Sequence, residues 1–169
     1  MEEHKKQFEE CYNLHADAIY RFCVYKVSDS KQAEDLTSEA FIRLWEYMVD
    51  GKKIDNLKSF LYQIVRNLII DFYRKKKSSS LDKMQEEGFE PSNEDYEKIQ
   101  NLSEIRIASE IINTLEDKYR DIIYMKLVEE MDLKEIAKTL HITTNNATVR
   151  LHRGLKHLQR IIQNKENEN

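Results

Sequence analysis

Along most of the chain apolar residues recur at spacings of three and four, the pattern of helices that bury one face. The clearest case is Leu57, Leu61, Ile64, Val65, Leu68 and Phe72, which predicts a helix from about Leu57 to Lys76. An earlier helix covers about Lys5 to Val27. Ser28-Asp29-Ser30 then offers candidate N-caps for a second, which runs to about Met48. The Gly51-Lys52-Lys53 turn separates it from the third. The pattern resumes late in the chain, with helices expected near 104–115, 117–128, 133–140 and 144–163. The longest apolar runs are four residues, such as Phe22 to Tyr25. A bilayer-spanning helix needs about 20, so direct membrane insertion is not expected.

Residues 78–104 interrupt the periodicity. Ser78-Ser79-Ser80 opens this stretch, and Gly88 and the only proline, Pro91, lie inside it. Its composition is that of a solvated linker, and at full extension it could reach on the order of 90 Å. The expected fold class is therefore all-α, with two small helical domains, 1–77 and 105–163, joined by a flexible linker at 78–104. The scarcity of turn formers agrees. The 169 residues hold 3 Gly and 1 Pro, where average usage would place roughly 20. The N-terminus lacks the apolar stretch of a signal peptide, and Cys11 and Cys23 form no CxxC pair. A reducing, cytoplasmic setting is expected.

The net charge of −4 argues against nucleic acid until its distribution is read. Residues 1–77 carry 14 Lys/Arg against 13 Asp/Glu, and residues 105–163 carry 10 against 8. The linker carries 2 against 8, so the acidity sits almost entirely there.

Leu133 to Leu140, a short turn, and Asn145 to Arg153 have helix-turn-helix spacing. Ile136, Leu140 and Ile142 supply a shared core, and Ala137 suits a close helix crossing. Thr143 or Thr144 can cap the second helix, whose N-terminus would enter a major groove. Its stripe Ala147, Leu151, Leu155, Leu158 and Ile162 is expected to face the core. The opposite face gathers Asn145, Asn146, Val149, Arg153 and Lys156. Asn can read adenine edges, and an exposed Val can meet a thymine methyl. No Asp or Glu occurs from Ile136 to Lys165, whereas six Lys/Arg do, which suits a phosphate backbone. An ordinary bundle with a basic amphipathic helix would share the pattern. The residue after Leu140 is expected in a left-handed conformation that favours Gly, and His141 stands there.

The second helix carries two stripes. Leu36, Ala40, Leu44 and Tyr47 are expected to face the core. Asp35, Ser38, Ile42 and Trp45, bordered by Glu39 and Glu46, combine acids with an apolar pair and the sole tryptophan. An acid-rimmed Trp can be a protein-interface hot spot, or the helix can be wedged between two neighbours. Opposite the third helix's core stripe lie Gln63, Arg66, Asn67, Ile70, Tyr73 and Arg74, followed by Lys75-Lys76-Lys77. Aromatics beside positive charge suit single-stranded nucleic acid; cations at a helix C-terminus also complement its dipole. Cys11 and His15, at i and i+4 with His4 nearby, could bind a metal, but a buried thiol beside a half-buried histidine gives the same spacing. No Gly-rich phosphate loop is present, so neither an enzyme nor a small-molecule substrate is expected, and no cofactor is assigned.

Three blocks together resemble the sigma-70 family, in its small extracytoplasmic-function (ECF) group. They are Gln32-Ala-Glu-Asp-Leu-Thr-Ser-Glu-Ala-Phe41 with Leu44-Trp45, Phe60-Leu-Tyr-Gln-Ile-Val-Arg-Asn-Leu-Ile-Ile-Asp-Phe-Tyr-Arg74, and Ile136 through Arg153. The resemblance implies an alternative sigma factor that binds core RNA polymerase and directs promoter recognition and DNA melting. Asp35, Leu36, Thr37, Glu39 and Phe41, with Ile42 and Trp45, would then meet the polymerase clamp. The Val49 to Asn56 loop with Lys52 and Lys53, and the helix bearing Gln63, Arg66, Asn67, Tyr73 and Arg74, would open and read the −10 element. Thr144, Asn145, Asn146, Thr148, Val149, Arg150, Arg153 and Lys156 would meet the −35 element. The acidic linker would thread toward the polymerase active centre. Core RNA polymerase, promoter DNA and a controlling anti-sigma factor are the implied partners. A helix-turn-helix regulator acting without polymerase is the alternative; it leaves Trp45 and the Arg66–Lys77 helix unexplained.

Overall fold

The computed structural model describes residues 2–82 and 110–167. The chain divides into two compact units, Met1–Asp95 and Tyr96–Asn169. All regular structure among the described residues is helical.

The first unit packs α1 (Glu2–Val27), α2 (Ser30–Val49) and α3 (Leu57–Asp82) against one another. The joint between α1 and α2 is set by two residues. Ser28 takes the left-handed conformation at φ 54°, and Asp29 caps α2 by accepting the Gln32 N–H at 2.9 Å. Asn56 does the same for α3, accepting the Ser59 N–H at 2.8 Å. Of the candidate caps for α2, Asp29 is the one used.

The core of this unit joins Ile19, Phe22 and Cys23 to Ala33, Ala40 and Leu44 and to Leu61, Tyr62 and Val65, all fully buried. The Phe22 and Tyr62 rings meet edge to face at 5.4 Å. On α2 the expected core stripe holds, with Tyr47 half-buried. On α3 the buried face is wider than the predicted stripe. It takes in Tyr62 and Ile69, while Ile64 and Phe72 are half-buried. The reason is that α3 packs against both α1 and α2, so two neighbours share its apolar side. Helix α3 also runs past Lys76, its expected end, to Asp82. Ser78-Ser79-Ser80, read from composition as the start of the linker, are helical. Residues 83–104 of that linker, and the first part of the helix expected near 104–115, lie outside the described residues; residues 110–113 are helical.

The second unit holds α4 (Asp117–Leu127), α5 (Leu133–Leu140) and α6 (Thr144–Asn167). Ile122, Ile123, Tyr124, Met125, Met131, Ile136 and Ala147 are fully buried. A capping box starts α5: Asp132 accepts the Glu135 N–H at 2.8 Å, and the Glu135 carboxylate accepts the Asp132 N–H at 3.1 Å. His141 ends it in the left-handed conformation, φ 53° and ψ 42°. The following Ile142 N–H returns to the Ala137 carbonyl at 3.0 Å. Thr143 then caps α6, its hydroxyl accepting the Asn146 N–H at 3.1 Å.

The buried line of α6 differs from the expected stripe. Ala147 is buried and Leu151 and Leu158 are half-buried, but Leu155 and Ile162 are 38% and 40% exposed. Gly154 takes the inner position that Leu155 was expected to fill. Each step of four residues turns the helix about 40° beyond a full circle, so a line of fours drifts off the core. Alternating four and three, through 147, 151, 154, 158 and 161, stays on it.

Candidate functional site

Three exposed surfaces carry the residues singled out above. On α2, Asp35, Ser38 and Glu46 are exposed and Ile42 is 54% exposed. Glu39 pairs with Arg43 at 2.8 Å across one helical turn. Leu36 and Phe41 belong to the interior, at 9% and 4% exposure. They position the face rather than present it. The Thr37 hydroxyl donates to the Ala33 carbonyl at 2.7 Å and is half-buried.

Trp45 resolves into a position between the two anticipated ones. One side of the indole packs on α1, with its centroid 5.3 Å from the Phe8 ring. Phe8 and Tyr12 also meet Phe41, at 6.2 and 4.9 Å. With Phe8, Tyr12 and Ile42, Trp45 lines a groove of about 560 Å³ that Lys5, Glu9 and Ser38 also border. Phe8 and Tyr12 escaped the sequence reading of this face. They lie on a different helix, and only their position in the fold brings them to Trp45.

The second surface is the loop after α2 and the outer side of α3. Gly51 turns the loop at φ 71°. Lys52 pairs with Asp50 at 3.1 Å and lies 4.8 Å from the Tyr47 ring centre; Lys53 is exposed. Gln63 and Arg66 are half-buried, while Asn67, Ile70, Tyr73 and Arg74 are exposed. The Tyr73 hydroxyl donates to the Lys26 carbonyl, which ties α3 to the end of α1, and burial pushes its phenol pKa up. Arg74 pairs with Asp71 at 3.0 Å.

The third surface is the outer face of α6. Thr144, Asn145, Asn146, Thr148, Val149, Arg153 and Lys156 are exposed. Arg150 is half-buried and sits at the edge of the face. The Thr148 hydroxyl donates to the Thr144 carbonyl at 2.9 Å. His152 is exposed on the same face and was not among the expected residues. Its spacing from Asn145, Val149 and Lys156 was the signal that could have found it.

The metal reading of Cys11 and His15 gains no support from the geometry. Among the described residues no group of three or more His, Cys, Asp or Glu is placed to hold a metal. Both thiols are buried, and burial pushes Cys11 and Cys23 up to about 11. No helix among the described residues is long and apolar enough to cross a membrane.

Residues 11–79 match the family model of sigma-70 region 2, and residues 105–158 that of sigma-70 region 4. The chain is 31% identical to the ECF RNA polymerase sigma factor SigW of Bacillus subtilis, over 90% of this chain and 87% of that one. It is 30% identical to the RNA polymerase sigma factor SigV of the same organism, over 92% and 90%. Among solved structures it is similar in fold to the sigma factor RpoE of Bartonella quintana, determined in complex with the anti-sigma factor NepR. That match has a TM-score of 0.70 at 20% identity, covering 94% of this chain and 98% of that one. CnrH, in complex with the cytosolic domain of CnrY, matches with a TM-score of 0.69 at 15% identity, over 94% and 89%. With both regions present in order and a relative of this identity along nearly its whole length, the chain belongs to the sigma-70 family, in its ECF group.

Proposed function

We propose that this alternative sigma factor divides its work between its two units. The first docks on core RNA polymerase through the outer face of α2, with Asp35 and Glu39 beside the apolar pair Ile42 and Trp45. The loop bearing Lys52 and Lys53, with Gln63, Arg66, Asn67, Tyr73 and Arg74 of α3, handles the opened −10 element. The second unit places α6 in the major groove of the −35 element. There Asn145, Asn146 and Val149 face the bases, and Arg153 and Lys156 face phosphates. Leu36 and Phe41 act by holding α2 in place. In this reading the first unit, through the end of α3 at Asp82, serves polymerase and −10 binding, residues 105–163 serve −35 binding, and the acidic stretch between them links the two. Catalysis of RNA synthesis belongs to the polymerase, and the protein works in the cytoplasm. An anti-sigma factor fits the reading, since both solved structures cited are complexes of that kind or with a cytosolic partner domain.

One observation carries the proposal: an acid-rimmed apolar face on α2 and an exposed α6 face without acids from Thr144 to Lys165 occur in one chain. A regulator acting alone would have no use for the first. The test is run-off transcription with bacterial core polymerase on a genomic promoter library. Discrete start sites that need both polymerase and this chain are expected. Their absence, with active polymerase, overturns the proposal.

A further inference from the structure

Tyr73 belongs to a different line of α3 from most of the residues grouped with it by sequence. Gln63, Asn67, Ile70 and Arg74, at steps of four, three and four, form the outer line of the helix. Tyr62, Ile69 and Tyr73, at steps of seven and four, form a line that adjoins α1. Tyr62 meets the Phe22 ring at 5.4 Å, Ile69 is buried, and the Tyr73 hydroxyl donates to the Lys26 carbonyl. That carbonyl is among the last four of α1, the groups that a helix leaves without a partner of its own. Lys26 is itself held in place. Its ammonium lies 5.7 Å from the Phe22 ring centre and 5.3 Å from that of Tyr25, and both rings are buried. Tyr73 stands where the packed part of α3 gives way to its basic end, for Arg74, Lys75, Lys76 and Lys77 are all exposed.

We propose that Tyr73 is a positioning residue: its hydroxyl, bonded to the end of α1, sets the direction in which the outer line of α3 and its basic end meet the opened strand, and its ring does not stack on a base. The inference rests on the reading that this side of α3 handles the opened −10 element. A helix end with few buried contacts opens locally at little cost. A bond from that point to a second helix holds Arg74 to Lys77 in one direction before the strand arrives, and a surface ordered in advance binds more tightly. The phenol, whose pKa burial pushes up, keeps its proton and so remains a donor.

The experiment compares full-length wild type with Tyr73→Phe, Tyr73→Ala and Tyr73→4-aminophenylalanine, which keeps a donor at the far end of the ring. Amide hydrogen exchange over residues 74–82 is measured in the free chain. Permanganate reactivity of −10 thymines is measured with core polymerase on a promoter selected by run-off transcription. Tyr73→Phe should exchange about fivefold faster and open the promoter about fivefold less, the effect of one net hydrogen bond. Its affinity for core polymerase should be unchanged, which general loosening of the unit would not allow. Tyr73→Ala should match Tyr73→Phe, and the 4-aminophenylalanine variant should match wild type in both measurements. Wild-type opening by Tyr73→Phe beside impaired opening by Tyr73→Ala overturns the proposal in favour of a stacking ring. Impaired opening by Tyr73→Phe with unchanged exchange overturns it in favour of a hydroxyl that touches DNA. If wild-type holoenzyme opens no promoter, the −10 reading of α3 fails and the proposed role with it, a result distinct from the other two.

Discussion

His141, like Ser28 and Glu130, is a place where local geometry and side-chain type disagree. Its φ of 53° is the conformation that Gly adopts without strain, and a Cβ there costs roughly 1–2 kcal/mol. The residue is exposed, so a substitution there removes no core packing. His141→Gly should therefore stabilise the second unit by about 1 kcal/mol after the entropy regained by the unfolded chain is deducted. A thermal melt should show a midpoint several degrees higher; an unchanged or lower midpoint would mean that the left-handed backbone is unstrained. Gly154 presents the opposite case. A Cβ there would sit 3.0 Å from Ile123 Cγ1 and 3.1 Å from its Cδ1, and Ile123 is fully buried with little room to move. Gly154→Val should destabilise the unit by about 1–3 kcal/mol, as overpacking does, read as a lowered melting midpoint of the full chain.

Among the elements, α2 separates its two roles by face. The inner stripe fills the core, and the outer one keeps Asp35 and Ile42 in solvent with Trp45 half-covered by Phe8. Asp35→Arg should weaken association with core polymerase by about 2 kcal/mol, roughly thirtyfold, with unchanged helicity. Trp45→Ala should weaken it similarly and also loosen the contact with α1. Titration of polymerase with each variant checks both, and wild-type affinity in the two together would remove this face from the docking surface. The helices themselves were legible because their signals are local: spacing of apolar residues, Asp29 before α2, and Asp132 with Glu135 around the start of α5. What escaped depended on neighbours. Tyr62 and Ile69 are buried because two helices flank α3, and Phe8 reaches Trp45 across the fold. The misplaced Leu155 and Ile162 came from extending a step of four along a helix that turns every 3.6 residues. Helical Ser78 to Ser80 were masked by their composition, since serines and a nearby Gly and Pro read as a break.

For the whole molecule, charge is the governing quantity. The two stretches assigned to promoter contact carry small positive balances, and residues 78–104 hold 8 acids against 2 bases. Joined to the surfaces proposed to bind DNA, that stretch would repel the same phosphates they attract. Free protein should bind duplex promoter DNA with a dissociation constant of about a micromolar or weaker at physiological salt. Polymerase would take up the acidic stretch and fix the spacing of the two surfaces, so the holoenzyme should bind far more tightly. Permanganate footprinting should reveal reactive −10 thymines only when polymerase is present. Nanomolar, sequence-specific binding by the protein alone would instead favour a regulator that works without polymerase.

The half-covered indole on α2 also makes the molecule its own optical probe. Trp45 is the sole tryptophan of the chain, so excitation at the red edge of the protein absorption band isolates light from one face of one unit. A tryptophan-free partner segment that closes the groove would move this fluorophore from a partly wet to a dry setting and shift its emission to shorter wavelength. Duplex DNA engaging α6 would leave the same band in place. One spectrum thus discriminates occupancy of the surface proposed to meet polymerase from occupancy of the second unit, with no label added.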